Sequence, residues 1–584
     1  MKSHKLFLAG LLLIASLFTA LASTPDKNDF NTLNKVYSAA AKSLNKVKNE
    51  SQLPAALTQL KKIQIRNADK KEVRAVLNLT PANCPPQLIS LYRESLRMQA
   101  ELKDAGKRLA MAGILQGGPH GAAYKQFCDA FRLTEELQDN QPEHEGAPFE
   151  TPEARNERMK WWREGKFGMF VHYGLYSGLA GEVQGKNYAG CVEWIQMQSG
   201  LDSDTYAKEA LPKFNPKAGK ATEWVKLAKE SGCKYIVVTS RHHEGYNMYN
   251  TKHSDFNVYK TKGIDILDEY SKACDQYNLK AGYYFSLLDW SHPDYDPTGS
   301  GISYPKGNYD AQKEGKRQFG NHERYKEYMF NIFDELTSNY RVDLVWWDFS
   351  QPRFQGDKAW GATRLMSTLF EKNPKAIQNN RLYHSENHLS EGGIRVTPTW
   401  KGDYSTAEHH IPSTGIDGDW EACQTLNGTW GYSAENQRWK TSETLIHELI
   451  DAVSRGGNYL LNIGPEPDGS IPEQSIRLFK EIGAWLHTNG EAIYETTANP
   501  FPVEFEWGRV TKKSNDTLYL LVYNKPENGM IELPCSFAEN VSISILGYNE
   551  TVQLTQQNGK TSIDIQKITL NPGATVIKLR GERQ

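Results

Sequence analysis

Residues 342–348 read VDLVWWD, an apolar run that ends in a carboxylate. Similar runs that end in polar residues are KFGMFVH (166–172), YIVVTSRHH (235–243) and AGYYFS (281–286). Amphipathic stretches separate these runs, as expected for strands of a parallel sheet that alternate with covering helices. The span 153–497 is therefore predicted to be an α/β domain, a (β/α)8-type barrel. An open doubly wound sheet is the alternative, but no GxGxxG follows the first run.

The pattern changes on both sides of this span. Apolar residues recur at helical spacing before it, which predicts a helical N-terminal module over 23–150. A segment with linker composition, 140–152, contains three prolines and ends this module. Short β-like runs separated by turn residues follow the barrel, and they predict a C-terminal β-sandwich over 498–584.

The N-terminus has the composition of an export signal. Lys2 and Lys5 precede an apolar run, and Ala20 and Ala22 supply the small residues of a cleavage site. This predicts a signal peptide over 1–22 and a secreted or periplasmic protein. A membrane anchor is the alternative, but the run is short for a span and no long apolar segment follows it.

Composition narrows the class of ligand. The formal net charge is only -2, so no strong field favours nucleic acid or an anionic membrane. The 14 Trp and 29 Tyr provide flat apolar faces suited to sugar rings, although most are expected to fill cores. The seven cysteines are scattered without CxxC spacing, which argues against a zinc ribbon or a disulfide scaffold.

Polar residues at strand ends are the first candidates for a site, because barrel active sites lie at the carboxyl ends of the strands. These candidates are His172, His242, His243, Tyr284 and Asp348. Asp348 requires a polar pocket, a helix N-terminus or an Arg partner. The adjacent histidines suggest a metal, but neighbours on an extended segment are expected to point apart and no HExxH is present. No metal site is predicted.

Eight segments, in order, resemble glycoside hydrolase family 29, the α-L-fucosidases. They are WWREGKFGMFVHYGLYS (161–177), CVEWI (191–195), KYIVVTSRHHEGYNMYNTKHSDFNV (234–258), LKAGYYFSLLDW (279–290), VDLVWWDFS (342–350), GDYSTAE (402–408), GTWGYS (428–433) and SRGGNYLLNIGPEPDGSIP (454–472). The resemblance implies a retaining exo-glycosidase that removes terminal α-L-fucose through a covalent fucosyl-enzyme intermediate. It implies a fucosylated glycan or glycoconjugate as substrate, and no cofactor.

The resemblance also implies roles for individual residues. Asp348 matches the nucleophile, and Glu408 matches the acid/base. The positions that match sugar contacts are His172, Glu193, Trp194, His242, His243, Tyr284, Trp346 and, through the looser match QNNR, Arg381. Glu193 and Glu421 are the alternative acid/base candidates.

Two positions depart from the family's pattern. Glu244 stands where Asp is common, and Phe349 stands where a Gly often follows the nucleophile. The first change keeps the carboxylate, whereas the second removes a flexible backbone point beside Asp348. Two other functions remain open, a hydrolase for another fucose-like sugar and a glycan-binding protein without turnover. Retention of both Asp348 and Glu408 argues against the second.

Overall fold

The computed structural model describes residues 27–47, 50–67, 70–77, 95, 102, 127–128, 151–188, 190–295, 304–318, 320–350, 354–383, 402–416 and 418–584. The predicted signal peptide and its cleavage site lie outside these residues, as does most of the predicted linker. The chain divides near Pro152 into two compact units.

The first unit is helical in its described part. Helices α1 (Lys27–Asn45), α2 (Leu53–Asn67) and α3 (Lys71–Leu77) follow one another, with a 3-10 turn at Glu50–Gln52. Along α1 the buried side chains recur at helical spacing and form the core with α2; they are Phe30, Leu33, Val36, Tyr37, Ala40, Ala41 and Leu44. The helical character predicted for this segment is confirmed in these residues.

The second unit contains the predicted barrel. Its strands are β1 (Phe167–Val171), β2 (Tyr235–Arg241), β3 (Lys280–Ser286), β4 (Leu344–Asp348), β5 (Ile377–Gln378), β6 (Ser405–Glu408), β7 (Trp420–Thr425) and β8 (Asn458–Ile463). All neighbours are parallel and lie in chain order, with β1 between β2 and β8. A parallel bridge between Asn379 and Tyr404 joins the two remaining edges, after β5 and before β6. The (β/α)8-type barrel is confirmed.

Helices cover the outside of this sheet. The described helices are α4 (Pro152–Gly165), α5 (Leu175–Leu179), α6 (Ile195–Ser199), α7 (Ser203–Ala210), α8 (Lys220–Glu230), α9 (Val258–Lys262), α10 (Ile266–Tyr277), α11 (Lys306–Lys313), α12 (His322–Asn339), α13 (Gly356–Trp360), α14 (Ala362–Lys372), α15 (Ser442–Ser454) and α16 (Glu473–Asn489). Shorter elements are 3-10 turns at Val192–Trp194 and Gly490–Ala492 and a hairpin of Glu182–Val183 with Lys186–Asn187.

Strand β2 shows why the barrel strands read as continuous apolar runs. Tyr235 and Val237 belong to the cluster inside the barrel, whereas Ile236 and Val238 pack in the core under the helices. Because both faces are buried, apolar residues are needed at every position. The interior is packed from below by Trp162 of α4, whose ring stacks on Tyr404 at 4.6 Å.

The C-terminal strands form two packed antiparallel sheets. They are β9 (Gly508–Ser514), β10 (Thr517–Val522), β11 (Met530–Leu533), β12 (Ser542–Ile545), β13 (Gln553–Gln557), β14 (Lys560–Asp564) and β15 (Thr575–Arg580). The sheet orders are β9-β10-β15-β12 and β11-β14-β13, which confirms the β-sandwich. In β10, Leu518 and Leu520 face the sandwich core, whereas Tyr519 and Leu521 join the core of the barrel.

All the described cysteines except Cys191 are buried, in agreement with a role as small core residues. Among the described residues, no helix is long and apolar enough to cross a membrane.

A buried ion pair holds the segment where the barrel closes. Arg158 of α4 donates to both carboxylate oxygens of Asp403 at 2.7 and 2.9 Å, and to the carbonyl of Ala376 at 2.8 Å. Asp403 Oδ2 also accepts from the backbone of Gln378 at 2.9 Å. The pair therefore ties α4 to the edges of β5 and β6.

We expect Arg158→Ala to lower the free energy of unfolding by about 3–5 kcal/mol, because it leaves the Asp403 carboxylate buried without a cation. Urea denaturation followed by Trp fluorescence measures this. The control is Arg364→Ala, which breaks an exposed Arg–Glu pair and is expected to cost about 1 kcal/mol or less. Equal costs for the two variants would contradict the assignment.

Candidate active site

A cavity of about 310 Å³ opens at the carboxyl ends of the barrel strands. This volume is at the small end of the range for ligand pockets and suits one sugar ring. All the predicted site residues line it, namely His172, Glu193, Trp194, His242, His243, Tyr284, Trp346, Asp348, Arg381 and Glu408. The strand-end motifs, far apart in sequence, are thus brought together by the barrel.

Asp348 is the last residue of β4, and its carboxylate accepts hydrogen bonds from two side chains. The Tyr284 hydroxyl donates to its Oδ2 at 2.6 Å, and Arg381 donates to its Oδ1 at 2.7 Å. Burial raises the pKa of Asp348, Arg381 opposes this shift, and the nearby Glu408 adds to it. The positive charge of Arg381 therefore favours the ionised form of the Asp348 carboxyl group, which burial disfavours.

Arg381 follows β5 and bridges both candidate carboxylates. Its second terminal nitrogen donates to Glu408 Oε2 at 2.7 Å, and its Nε donates to Thr406 Oγ1 at 2.9 Å. The guanidinium is almost completely buried and lies 4.3 Å from the centre of the Trp346 ring. Asp348 and Glu408 thus share one guanidinium.

Trp346 and Glu421 support this arrangement from below. The indole Nε1 of Trp346 donates to Glu421 Oε1 at 3.1 Å, and the Tyr235 hydroxyl donates to Glu421 Oε2 at 2.5 Å. Burial raises the pKa of Glu421 to about 7. Glu421 does not line the cavity, so its alternative role as acid/base is not favoured.

The buried histidines are neutral near pH 7. Burial lowers the pKa of both His172 and His242 to about 3, and burial also holds that of His243 well below its ordinary value. His172 Nδ1 lies 2.7 Å from Asn462 Oδ1, and His243 Nδ1 lies 2.7 Å from Ser286 Oγ. His243 Nε2 lies 3.7 Å from Asp348 Oδ2, so the ring stands between Ser286 and the candidate carboxylate.

The expectation that the adjacent histidines point apart is wrong. The ring centroids of His242 and His243 are 4.0 Å apart, and both rings line the cavity. Strand β2 ends at Arg241, so the alternation of an extended strand no longer applies to them. Arg241 itself pairs with Asp289 at 2.6 Å, buried away from the cavity.

Glu193 provides a further polar group. Its Oε2 accepts from the backbone of Gly431 at 3.1 Å, and its Oε1 is buried without a hydrogen-bond partner among the described residues. Burial raises its pKa to about 7. Such an orphaned atom at a cavity wall is suited to a ligand hydroxyl.

The cavity contains residues that sequence reasoning missed. They are Phe170, Cys191, Phe349, His409, His410 and Trp430. Phe170 and Trp430 pack on each other and on His172, and with Trp346 they form an apolar floor. The signal for Phe349 and His409 was their position, since each directly follows a candidate carboxylate.

Comparison with known proteins places the sequence in one family. The sequence profile of the family described as Alpha-L-fucosidase matches residues 133–491. The alpha-L-fucosidase of Dictyostelium discoideum is 28% identical over 406 residues, which cover 65% of this chain and 81% of that protein.

Solved structures give the same result. Alpha-L-fucosidase isoenzyme 1 from Paenibacillus thiaminolyticus has 32% identity and a TM-score of 0.64, covering 73% of this chain and 99% of that one. A trapped covalent intermediate of an alpha-L-fucosidase from Bacteroides thetaiotaomicron, in complex with 2-fluoro-fucosyl fluoride, has 27% identity and a TM-score of 0.62, covering 73% and 96%. The family match spans more than half of the chain and every strand that carries the cavity, so the chain belongs to glycoside hydrolase family 29, the α-L-fucosidases.

Proposed function

We propose that this chain hydrolyses terminal α-L-fucosides with retention of configuration, using Asp348 as the nucleophile and Glu408 as the acid/base. The observation that carries the proposal is the pair of carboxylates held by Arg381 in one cavity of the size of a sugar ring. Cleavage of a glycoside needs two such carboxyl groups with different protonation states.

The reaction proceeds in two displacements. Asp348 attacks the anomeric carbon while the bond from that carbon to the glycosidic oxygen breaks, and Glu408 gives its proton to the departing oxygen. A water molecule then attacks the anomeric carbon as Glu408 takes its proton, and the bond to Asp348 breaks. The covalent intermediate of the Bacteroides thetaiotaomicron relative supports this route.

The charges of the site fit the resting state of such an enzyme. One guanidinium balances one negative charge, so the group of three side chains is neutral when Asp348 is ionised and Glu408 holds a proton. The Tyr284 hydroxyl and Arg381 both donate to Asp348, which holds its two oxygens in place for attack.

The walls fit the sugar. We assign the sugar hydroxyls to His172, His243 and Glu193, which line the cavity with polar side chains. The apolar floor of Phe170, Trp346 and Trp430 would hold the C6 methyl group of fucose. A floor of this kind favours fucose over a sugar that carries a hydroxyl at C6.

Alanine substitution with azide rescue tests the two catalytic roles. Asp348→Ala is expected to lower kcat on an aryl fucoside roughly 10⁴-fold, by loss of the nucleophile. Glu408→Ala is expected to lower kcat about 10²–10⁴-fold on a sugar leaving group that needs protonation. On an aryl fucoside whose leaving group departs without a proton, azide should rescue both variants, because the fucosyl-enzyme still forms in Glu408→Ala.

The product of rescue, identified by NMR, separates the roles. In Asp348→Ala, azide attacks the substrate directly and gives the β-L-fucosyl azide by inversion. In Glu408→Ala, azide attacks the fucosyl-enzyme in place of water and gives the α-L-fucosyl azide. Exchanged products would contradict the assignment, and a wild-type enzyme that binds fucosides without turnover would favour a binding protein.

The pH dependence tests the role of Arg381. Asp348 must be ionised to attack, so activity is lost as the pH falls through its pKa. Arg381 lowers that pKa, and its replacement in Arg381→Gln therefore raises it and moves the acid limb of kcat/KM to higher pH. Arg364→Gln, an exposed arginine outside the cavity, is the control. An acid limb that stays in place or moves to lower pH would be inconsistent with the proposal.

The apolar floor is tested with an α-L-galactoside, which carries a hydroxyl at C6. We expect wild-type kcat/KM to be roughly 10²-fold lower than for the matching α-L-fucoside. Trp430→Ala should narrow this ratio, whereas Trp439→Ala, outside the cavity, should leave it unchanged. A galactoside cleaved as well as the fucoside would support a different natural sugar.

A further inference from the structure

The residues that directly follow the two carboxylates share a backbone conformation. Phe349, after Asp348, has a φ of 84°, and His409, after Glu408, has a φ of 59°. L-residues rarely adopt this left-handed region, and a bulky side chain such as Phe is the more strained of the two. Yet both side chains line the cavity.

These side chains lie near the mouth of the cavity and not at its floor. Phe170 and Trp346 at the floor are almost completely buried, at 1% and 2% exposure. Phe349 is only partly buried, and the side chain of His409 is 42% exposed. A ligand that protrudes from the cavity passes these two rings.

Each ring is held by its own aromatic neighbours. The Phe349 ring lies 5.7 Å from that of Trp194 and 5.5 Å from that of His243. The His409 ring lies 4.8 Å from that of Trp430. The two groups rise from β4 and β6, on either side of β5. The packing offsets the unfavourable backbone conformation and fixes each ring in place.

We propose that Phe349 and His409 form the two walls of the site for the leaving group, and so determine which leaving groups the enzyme accepts. This inference rests on the proposed function. The broken bond lies beside Glu408, so the leaving group must extend from there toward the mouth, between the residues next to the carboxylates. Aromatic rings at these two positions suit contact with a pyranose or an aryl ring.

The test compares two substrates whose leaving groups depart without a proton, 2,4-dinitrophenyl α-L-fucoside and α-L-fucosyl fluoride. The fluoride is a single atom and is too small to reach the walls. We expect the ratio of kcat/KM for the aryl substrate to that for the fluoride to fall roughly tenfold in Phe349→Gly and in His409→Gly. Glycine removes each ring but accepts the positive φ, so these variants should fold.

The matched control is Asn558→Gly, which changes another left-handed residue in a C-terminal hairpin, far in sequence from the cavity. This control and Phe349→Tyr, which keeps the ring, should retain the wild-type ratio. An unchanged ratio in both glycine variants, with a wild type that cleaves both substrates, overturns the inference alone. A wild type inactive on both substrates overturns the proposed function and this inference with it.

Discussion

The arrangement of the site depends on the ion pairs that the buried guanidinium of Arg381 makes with Asp348 and Glu408. This guanidinium is almost completely buried, and its two terminal nitrogens contact Asp348 and Glu408, the two carboxylates of the proposed reaction. Two carboxylates in a pocket of low dielectric repel each other unless a cation lies between them. Arg381 is placed by β5, a strand of only two residues, and rests on Trp346, which Glu421 orients from below. Residues inside the barrel, Trp346 and Glu421, therefore fix the position of Arg381 at the carboxyl ends of the strands.

The sequence predicted the strands that are apolar on both faces. Runs such as those of β2 and β4 are apolar at nearly every position, as expected of parallel strands that are buried on both faces. Strands β5, β6 and β7 were not predicted, because β5 is very short and the other two read STAE and WEACQT, in which polar and apolar side chains are mixed. Local patterns of hydrophobicity do not report a strand whose partners are Arg381 and other polar groups.

The candidate site was predicted more completely than the strands that carry it. Ordered motifs located all its proposed residues, and the barrel brings them together. The sequence did not predict the backbone conformation or the side-chain directions of the residues that follow the strands. The convergence of His242 and His243 and the left-handed backbone at Phe349 arise in loops, where no periodicity constrains the direction of a side chain.

The alternation along β10 has a consequence for how the protein is built. Tyr519 and Leu521 belong to the same core as the barrel helices, while Leu518 and Leu520 fill the sandwich. One sheet thus serves two hydrophobic cores, and neither core is complete without it. The C-terminal sandwich is for this reason not an interchangeable module. Loss of the sheet that contains β10 would expose part of the core of the barrel, whereas buried side chains of the outer sheet, such as Ile531 and Ile563, belong to the core of the sandwich.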